Sequence, residues 1–443
     1  MKSLRAPGVH GTTRPWWQDE APPDDELPPL EGSVDADVAV VGGGLTGLWT
    51  ALELRRRDPS ARVVVLEAAR CGDGASGRNG GFLHGYWEAL PRLVQLFGRD
   101  RALELARESA GVYDAVKELG EDVWLTEGGM LTVAIGAAHE RELEREAAVY
   151  ASVGAADEAV MVEAGDLTVR SPAFRRGLFH RGGTTVQPAR LVRALRRAAL
   201  AAGVQIHERT AVLTVDGGVV RAHLGVVRAG EVVVATNASA ATGWPAARRV
   251  AVFRSAIVLT EPVRDLHERV GWERGEGISD ARTYLSYFRP TNDGRVVMGS
   301  ASGDYALAER ALRTYLPQLG DVAIAARWEG AIDVSSDRLP VIGTGTGTRV
   351  HYAAGFTGNG VGPSWVVGRT LARLALGEAV DSPLLAARAP SLPPEPLRTL
   401  GASVVRRALL AIDDAETYGR PVPRWAEAVR RVPELVGLRV ASR

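Results

Sequence analysis

Short apolar runs and helically spaced apolar positions alternate near the start of the chain. Residues 38–41 form an uninterrupted apolar run, which is typical of a strand buried on both faces of a parallel sheet. Residues 48–57 have helix-forming composition, and residues 63–66 form a second buried run. This order of strand, helix and strand predicts the first unit of a dinucleotide-binding fold over residues 35–67.

A similar pattern returns in residues 182–240. Gln187 and the proline after it open a predicted helix, residues 204–207 form a strand, and a further strand begins at Val212. Residues 232–237 then read as a buried strand that ends in a turn of small residues. This part of the chain is therefore predicted to extend the same parallel sheet.

The middle of the chain has a different pattern. Residues 251–304 alternate apolar and polar positions and contain an Asn-Asp-Gly turn at 292–294, which indicates antiparallel hairpins. Residues 88–150 have the spacing of amphipathic helices, interrupted by strand-like runs near residues 123–135. We interpret residues 88–150 as part of a second, substrate-side layer, and residues 251–304 as an antiparallel sheet distinct from the parallel one.

The two ends of the chain are predicted to lie outside these layers. Residues 1–34 are expected to form an extended arm without regular helix, because several prolines interrupt it, and Trp16 and Trp17 are expected to pack it onto the body. Residues 390–443 are expected to form a helical tail outside the catalytic core, packed on the body.

Charge and composition narrow the class of protein. The 443 residues carry 53 basic and 53 acidic side chains, so nothing indicates a nucleic-acid groove or an anionic membrane partner. The single cysteine, Cys71, excludes an intrachain disulfide, and no metal site is expected. No apolar run approaches the roughly 20 residues that span a membrane. Residues 1–31 resemble neither a signal nor a transit peptide, so a cytoplasmic protein is expected.

A glycine motif follows the first predicted strand. Gly42, Gly44 and Gly47 have the spacing G-x-G-x-x-G, which permits a tight turn, close approach of backbone amides to a pyrophosphate, and close packing of the next helix. Glu67 ends the second strand, where an acid can accept hydrogen bonds from ribose hydroxyls. An acid at this position, instead of a basic residue, argues against a 2′-phosphate on the ribose and so favours FAD or NAD over NADP.

Two further glycine-rich segments complete the pattern. Residues 68–87 contain six glycines, able to bend around a flat, buried group. Residues 355–364, GFTGNGVGPS, join a strand at 350–354 to a helix from Pro363, whose N-terminus can donate N–H groups to an anion. The first unit together with GASGRNGG at residues 74–81 resembles the FAD-dependent amine and D-amino-acid oxidase (DAO) superfamily, in particular its gamma-glutamylputrescine-oxidase-like branch.

The motifs and the resemblance together imply a cofactor site. In the superfamily, the 74–81 loop runs along the ribityl chain to the flavin ring, and the late glycine turn faces the pyrimidine edge. The implied cofactor-binding residues are Gly42, Gly44, Leu45, Thr46, Gly47, Glu67, Ala68, Ser76, Arg78, Asn79, Gly80, Gly81, Val212, Ala235, Gly355, Gly358, Asn359, Gly360 and Val361.

The resemblance also implies the fold class, which is α/β with an antiparallel β part. A Rossmann-like FAD-binding domain of the glutathione-reductase type is expected to be interleaved with a substrate domain built on a mainly antiparallel sheet. The predicted segments are an extended arm at 1–34, an FAD-binding domain at 35–87, 155–250 and 330–389, a substrate domain at 88–154 and 251–329, and a C-terminal helical tail at 390–443.

The implied reaction is oxidation of the C–N bond of a primary or secondary amine, by hydride transfer to flavin N5, giving an imine that hydrolyses. His84, Arg78 and Tyr287 are the candidate catalytic residues. Tyr284 and Tyr287 are predicted to point to opposite faces of one strand, so that at most one faces the flavin.

Departures from related branches refine this expectation. Residues 330–333 hold no cysteine where the sarcosine-oxidase branch attaches its flavin, so non-covalent FAD is expected. Val297 stands near the position of that branch's oxygen-activating lysine, which leaves oxygen or another electron acceptor open.

The substrate side departs from relatives as well. Ile332 and Gly358 occupy places where arginines could clamp an amino-acid carboxylate, so Arg78, Arg254 and Arg289 remain the candidate anchors. An amine with a more distant anion, such as a glutamylated polyamine or an aminophosphonate, fits better than a simple amino acid. The alternatives are an NAD-dependent dehydrogenase and a flavin-binding protein without turnover.

Overall fold

The computed structural model describes residues 13–241, 245–386, 390–394 and 396–435. The first twelve residues of the expected arm and the last eight of the expected tail lie outside the described residues. The helices are α1 (Trp16–Glu20), α2 (Leu45–Arg57), α3 (Leu90–Phe97), α4 (Arg99–Lys117), α5 (Ala137–Ser152), α6 (Pro188–Ala201), α7 (Leu266–Val270), α8 (Tyr305–Tyr315), α9 (Pro363–Ala375), α10 (Pro383–Ala386), α11 (Leu397–Thr417) and α12 (Arg424–Leu435).

The strands alternate with these helices along the chain. They are β1 (Gly32–Val41), β2 (Val63–Leu66), β3 (Phe82–Leu83), β4 (Met130–Val133), β5 (Ala159–Glu163), β6 (Arg176–His180), β7 (Thr184–Thr185), β8 (Gln205–His207), β9 (Val212–Asp216), β10 (Val219–Ala222), β11 (Gly225–Val234), β12 (Val250–Thr260), β13 (Gly277–Asp280), β14 (Ser286–Pro290), β15 (Val296–Ser300), β16 (Ile324–Ser335), β17 (Val341–Thr344) and β18 (Val350–Ala354). A mixed α/β fold, as expected, is therefore confirmed.

The first sheet has the strand order β17-β18-β11-β1-β2-β8, with β10 beside the start of β11 and β9 beside β10. Strands β18, β11, β1, β2 and β8 run parallel, because their pairings join residues in the same direction. The carboxyl ends of β1 and β18 therefore meet at one edge of the sheet. Helices α2 and α9 both start at that edge, and a Cβ added at Gly368 of α9 would lie 2.7 Å from the Trp49 Cβ of α2.

The second sheet has the order β16-β12-β15-β14-β13-β4-β6-β5, and its pairs are antiparallel except for β13 with β4. Side chains alternate between its two faces. Leu131, Ile278 and Phe288 pack into a buried cluster with α7 and α8. Their neighbours in the chain, Thr132 and Ser279, lie in register with each other on the opposite face. That second face closes one side of the cavity described below.

The N-terminal arm contains more regular structure than its prolines suggested. Helix α1 forms just after Pro15, ahead of the later prolines, and the arm ends in β1, which begins at Gly32. The expectation of an arm without helix is therefore wrong at 16–20. Trp17 is fully buried and its indole N–H donates to the Asn79 carbonyl oxygen at 2.9 Å, so the arm packs against the 74–81 loop.

The C-terminal helices pack onto the body through one face of α11. Ala408, Leu409 and Ile412 form a small buried cluster there with Ala426 of α12. Among the helices in the described ranges, none has the length and hydropathy required to cross a membrane.

Candidate active site

One continuous cavity of about 1190 Å³ lies between the two sheets. It is lined by Gly42 and Gly44 of the first glycine turn and by Gly358 and Gly360 of the late one. This volume exceeds the roughly 300–1,000 Å³ of ordinary small-molecule pockets. The two distant glycine turns therefore border a single space whose volume can hold a large ligand and a second, smaller molecule.

The first turn is held by contacts that leave no room for side chains. Gly42 has φ +111°, and a Cβ there would lie 2.5 Å from the Ala235 carbonyl oxygen. A Cβ on Gly47 would lie 1.9 Å from the Gly42 carbonyl oxygen, so α2 packs directly on the end of β1. The Leu45 N–H at the start of α2 donates to Ser76 Oγ at 3.0 Å, which ties the turn to the second glycine loop.

Glu67 closes the same region at the end of β2. Its carboxylate accepts hydrogen bonds from the N–H groups of Gly43 and Ala69, at 2.8 and 2.9 Å, and it also lines the cavity. Cys71 lies behind this turn, since a Cβ on Gly43 would be 2.5 Å from its Sγ. Burial raises the pKa of the Cys71 thiol well above its ordinary value.

Arg78 organises the second glycine loop by binding carbonyl groups. Its guanidinium donates to the carbonyl oxygens of Asp73 and Glu329, at 2.8 and 2.9 Å, and burial lowers its pKa. The Trp328 indole N–H donates in turn to the Arg78 carbonyl oxygen at 2.8 Å. Arg78 lines the cavity, and its contacts hold the second glycine loop against β16.

The late glycine turn rests on Asp333, which the sequence did not single out. Asp333 is 1% exposed, and its carboxylate accepts hydrogen bonds from the N–H groups of Gly355 and Phe356. Burial raises the pKa of Asp333 to about 6, although the two N–H donors act in the opposite direction. A Cβ on Gly362 at the start of α9 would overlap the His84 carbonyl oxygen, so residue 84 packs against this helix end.

The segment 84–88 brings three polar side chains to the cavity. His84 Nδ1 lies 3.6 Å from Glu88 Oε2, and both residues line the cavity together with Tyr86. Burial raises the pKa of Glu88, while the charge of His84 opposes this shift. Tyr86 and Glu88 were missed by the sequence reasoning, although their position directly after the glycine loop was a usable signal.

Two tyrosines line the cavity from the second sheet. The Tyr287 hydroxyl is 2.9 Å from Ser255 Oγ, and burial raises its pKa to about 12 despite that hydrogen bond. Tyr284 precedes β14, and its N–H donates to Asp413 of α11 at 2.8 Å. Alternation within one strand therefore does not apply to this pair, and both side chains contribute to the wall.

The other two candidate anchoring arginines have partners inside the protein. Arg289 donates to the carbonyl oxygens of Gly80 and Val186, is 1% exposed and does not line the cavity. Arg254 pairs with Glu329. Arg92, Arg338 and Arg398 line the cavity, and so does Arg282, whose charge is matched by Asp280; the sequence indicated none of these four.

The structure thus brings the predicted site residues together around one space. The cavity is lined by His84, Tyr287, Gly42, Gly44, Leu45, Thr46, Glu67, Ala68, Ser76, Arg78, Asn79, Gly80, Val212, Ala235, Gly358, Asn359, Gly360 and Val361. Gly47, Gly81 and Gly355 do not line it. A Cβ on Gly81 would lie 2.1 Å from the Val186 carbonyl oxygen, and one on Gly355 would meet Ser335 and Val250 at 3.1 Å, so these glycines allow close packing behind the wall.

The C-terminal helix α11 also borders this cavity. Leu397, Arg398, Gly401 and Val405 contribute to its lining, so the expectation of a tail outside the catalytic core is wrong. Amphipathic spacing indicated a packed helix but contained no information about which surface it covers.

Several buried side-chain oxygens around the cavity have no hydrogen-bond partner within the described part of the chain. They are Thr236 Oγ1, beside the first turn, and Tyr86 Oη, Glu88 Oε1 and Ser336 Oγ elsewhere on the wall. Buried polar atoms of this kind are normally satisfied, so their positions fit a ligand with polar groups along its length. Together with the glycine cradle and Glu67, these residues fit FAD.

Comparison with known proteins gives matches over most of the chain. A family model described as DAO, FAD dependent oxidoreductase, matches residues 37–374. The chain is 30% identical over 370 residues to the gamma-glutamylputrescine oxidoreductase of Escherichia coli (strain K12), covering 79% of this chain and 86% of that protein. It is 29% identical over 391 residues to a probable oxidoreductase OrdL of Haemophilus influenzae, covering 82% and 88%.

Solved structures share the same fold. Glycine oxidase from Geobacillus kaustophilus superposes with a TM-score of 0.69 at 22% identity, covering 82% of this chain and 100% of that one. An L-amino acid deaminase from Proteus vulgaris gives a TM-score of 0.65 at 18% identity, covering 86% and 98%.

Proposed function

The chain belongs to the family of FAD-dependent oxidoreductases that the DAO model describes, and on that premise we propose that it oxidises the carbon–nitrogen bond of a primary or secondary amine. The relatives named for their substrates act on gamma-glutamylputrescine and glycine, both of which carry an amine. The continuous cavity that joins the two glycine turns is the observation that supports this proposal most strongly. A site for FAD alone would not require the additional space between the late turn, segment 84–88 and the second sheet.

The protein's own residues divide the cavity into a cofactor part and a substrate part. Gly42, Gly44 and the amides that start α2 suit the diphosphate, and Glu67 suits the ribose hydroxyls. The start of α9, held by Asp333 through the late turn, directs a partial positive charge at the ring end. When bound, FAD supplies the acceptor, at its N5, for the hydride that leaves the carbon beside the amine nitrogen.

We propose that the FAD is not covalently attached. Cys71 is buried behind Gly43 and does not line the cavity. Residues 330–333 contain no cysteine. After the hydride has left, the substrate is an imine, and water hydrolyses it to a carbonyl compound and a free amine.

The substrate is proposed to carry its anion away from the reacting amine, as glutamylated polyamines and aminophosphonates do. Arg78, Arg254 and Arg289 are all engaged with other protein groups, so none of them offers the clamp that an α-carboxylate requires. The relative that acts on gamma-glutamylputrescine supports this choice.

We propose that the enzyme is either an oxidase, whose electron acceptor is oxygen, or a dehydrogenase that uses another electron acceptor. Lys117 pairs with Glu127 at 2.7 Å on the surface, and Lys2 lies outside the described residues. Among the described residues, the cations that could assist oxygen are therefore arginines, histidines or the α9 terminus. The two alternatives, an NAD-dependent dehydrogenase and a flavin-binding protein without turnover, do not agree with a family of FAD-dependent enzymes.

The direct experiment is anaerobic reduction of the purified yellow protein. A panel of monoamines, glutamylated diamines, aminophosphonates and α-amino acids is added without oxygen, and bleaching of flavin absorbance is recorded. We expect bleaching by an amine with a distant anion and slower bleaching by glycine. A protein that carries FAD but is bleached by no amine would refute amine oxidation, and a colourless protein that binds NAD would refute the cofactor.

A further inference from the structure

We propose that the Glu88 carboxylate takes the proton of the substrate's ammonium group, so that the reacting amine is held in its neutral form. This proposal rests on the proposed amine oxidation. It identifies the residue that provides the neutral amine for that reaction near neutral pH. An ammonium nitrogen has no lone pair, and hydride loss from the adjacent carbon needs that lone pair to form the C=N bond.

The geometry of Glu88 suits this task. Glu88 lies two residues before α3, and both Glu88 and Tyr86 line the cavity. Glu88 Oε1 is buried and accepts no hydrogen bond from any described residue, while Oε2 lies 3.6 Å from His84 Nδ1. Unpaired buried carboxylate oxygens are rare, so an N–H donor from a bound molecule is the expected partner.

The titratable groups around Glu88 come from several elements, and few of them are positively charged. Its own segment contributes His84 and Tyr86, α4 contributes Tyr113, α5 contributes Tyr150 and Glu146, β6 contributes His180, α3 contributes Arg92, and the loop before β5 contributes Glu158. Burial lowers the pKa of His180 to about 4, so it is neutral at pH 7. Among these groups, His84 is the cation that acts on Glu88. The surrounding tyrosines are neutral, and the acidic groups favour the arrival of a cation.

The proton transfer is balanced without any further reactant. The N–H bond of the ammonium breaks, an O–H bond forms on Glu88, and no electrons are exchanged. Burial disfavours both charged forms, which raises the pKa of a carboxyl and lowers that of an amine. The two pKa values therefore converge inside the cavity, although they differ by about 6 units in water.

The first test is the pH profile of the holoenzyme and of Glu88→Gln. For the wild type, kcat/KM should be flat between about pH 7 and pH 9, because the enzyme binds the abundant ammonium form. Glu88→Gln can use only the neutral amine, which for an amine of pKa about 10.4 is roughly one part in a thousand at pH 7.4. Its kcat/KM should fall at least 100-fold at pH 7.5 and rise about tenfold per pH unit. Near pH 10 it should come within about threefold of the wild type.

Glu88→Asp and Glu158→Gln are the matched controls. The aspartate variant keeps a carboxylate and should keep the flat profile at reduced rate. Glu158 is half-buried and does not line the cavity, so Glu158→Gln removes a nearby charge without altering the cavity wall and should leave the profile unchanged. A uniform loss in Glu88→Gln with a flat profile would overturn the proposal, because it would mean that Glu88 only shapes the site.

A binding measurement on the wild type alone keeps the idea falsifiable if Glu88→Gln fails to fold. A tert-alkyl amine has no hydrogen on the carbon beside nitrogen, so it binds without being oxidised. Titration calorimetry in two buffers of different ionisation enthalpy should show no net proton release between pH 7 and pH 9. Release of about one proton per amine would overturn the proposal. If no amine bleaches the wild-type flavin, the proposed function fails and this inference falls with it, whereas bleaching with proton release rejects Glu88 alone.

Discussion

Replacing Gly47 by alanine tests whether the contact between β1 and α2 is as tight as the structure indicates. The new Cβ would lie 1.9 Å from the Gly42 carbonyl oxygen and 3.3 Å from Val40 Cγ1. Favourable carbon–oxygen contacts begin at roughly 3.3 Å. The helix and the strand must therefore move apart by more than about 1 Å, because the obstructing atom belongs to the backbone and cannot rotate away.

The expected magnitude follows from this overlap. Overpacking of a core costs typically about 1–3 kcal/mol when side chains can adjust, and here they cannot. We expect Gly47→Ala to lower the free energy of unfolding by at least about 3 kcal/mol and to displace the amides at the start of α2. The purified variant should then contain little FAD, although Gly47 does not line the cavity.

Gly44→Ala is the matched comparison. Its Cβ would meet only the Ser76 side chain, with Oγ at 2.7 Å, and its φ of −86° suits any residue. The Ser76 hydroxyl can rotate, at the cost of one hydrogen bond worth about 1 kcal/mol. Chemical unfolding of the two FAD-free variants measures their stability, and the flavin absorbance of the purified proteins measures their FAD content. Gly44→Ala should lose FAD but keep the fold, and a Gly47→Ala protein with wild-type stability and full FAD content would refute the packing argument.

Three further changes probe other parts of the site. The pKa of Asp333 is raised to about 6, so its contribution to stability is greatest below about pH 4 and is lost as the pH rises through 6. Between pH 5 and pH 7.5 this amounts to about 1.4 kcal/mol, which Asp333→Asn should remove, as measured by denaturant unfolding of both proteins at the two pH values. Asp413→Ala leaves the N–H groups of Thr283 and Tyr284 without their acceptor, so hydrogen exchange should accelerate in α11 while α2 stays protected; equal exchange in both proteins would contradict this clamp. Cys71→Ser should bind FAD that acid releases fully, as the wild type does, and retention of flavin by the acid-denatured wild type would disprove non-covalent binding.

Patterns that are local in sequence predicted the nucleotide side of the fold well. The strand at 350–354, the helix from Pro363 and the unit of β1, α2 and β2 all appear where periodicity and glycine spacing put them. Each depends on neighbours a few residues away, so its signal is contained in a short window. The helix at 16–20 was not predicted, because the prolines further along the arm were taken to exclude a helix throughout it. Those prolines lie after Glu20, where the helix has already ended.

Features made by contacts between distant segments could not be predicted in this way. Asp333 is a single acid at the end of a strand, and only the fold shows that it accepts the amides of residues 355 and 356. Glu88 was not singled out from the sequence, because its buried oxygen without a partner is a property of the packed fold. The position of α11 over the cavity is set by Asp413 and the loop at 283–284, which lie 130 residues apart.

The alternating faces of the second sheet have a consequence for how this enzyme can acquire new specificities. Ser279 and Tyr287 touch the ligand space, whereas the residues directly beside them, Ile278 and Phe288, maintain the hydrophobic interior. A library that diversifies only codons 279 and 287 would therefore sample new ligand preferences at little expense in folded yield. Diversifying codons 278 and 288 instead would yield mostly insoluble variants and few altered activities.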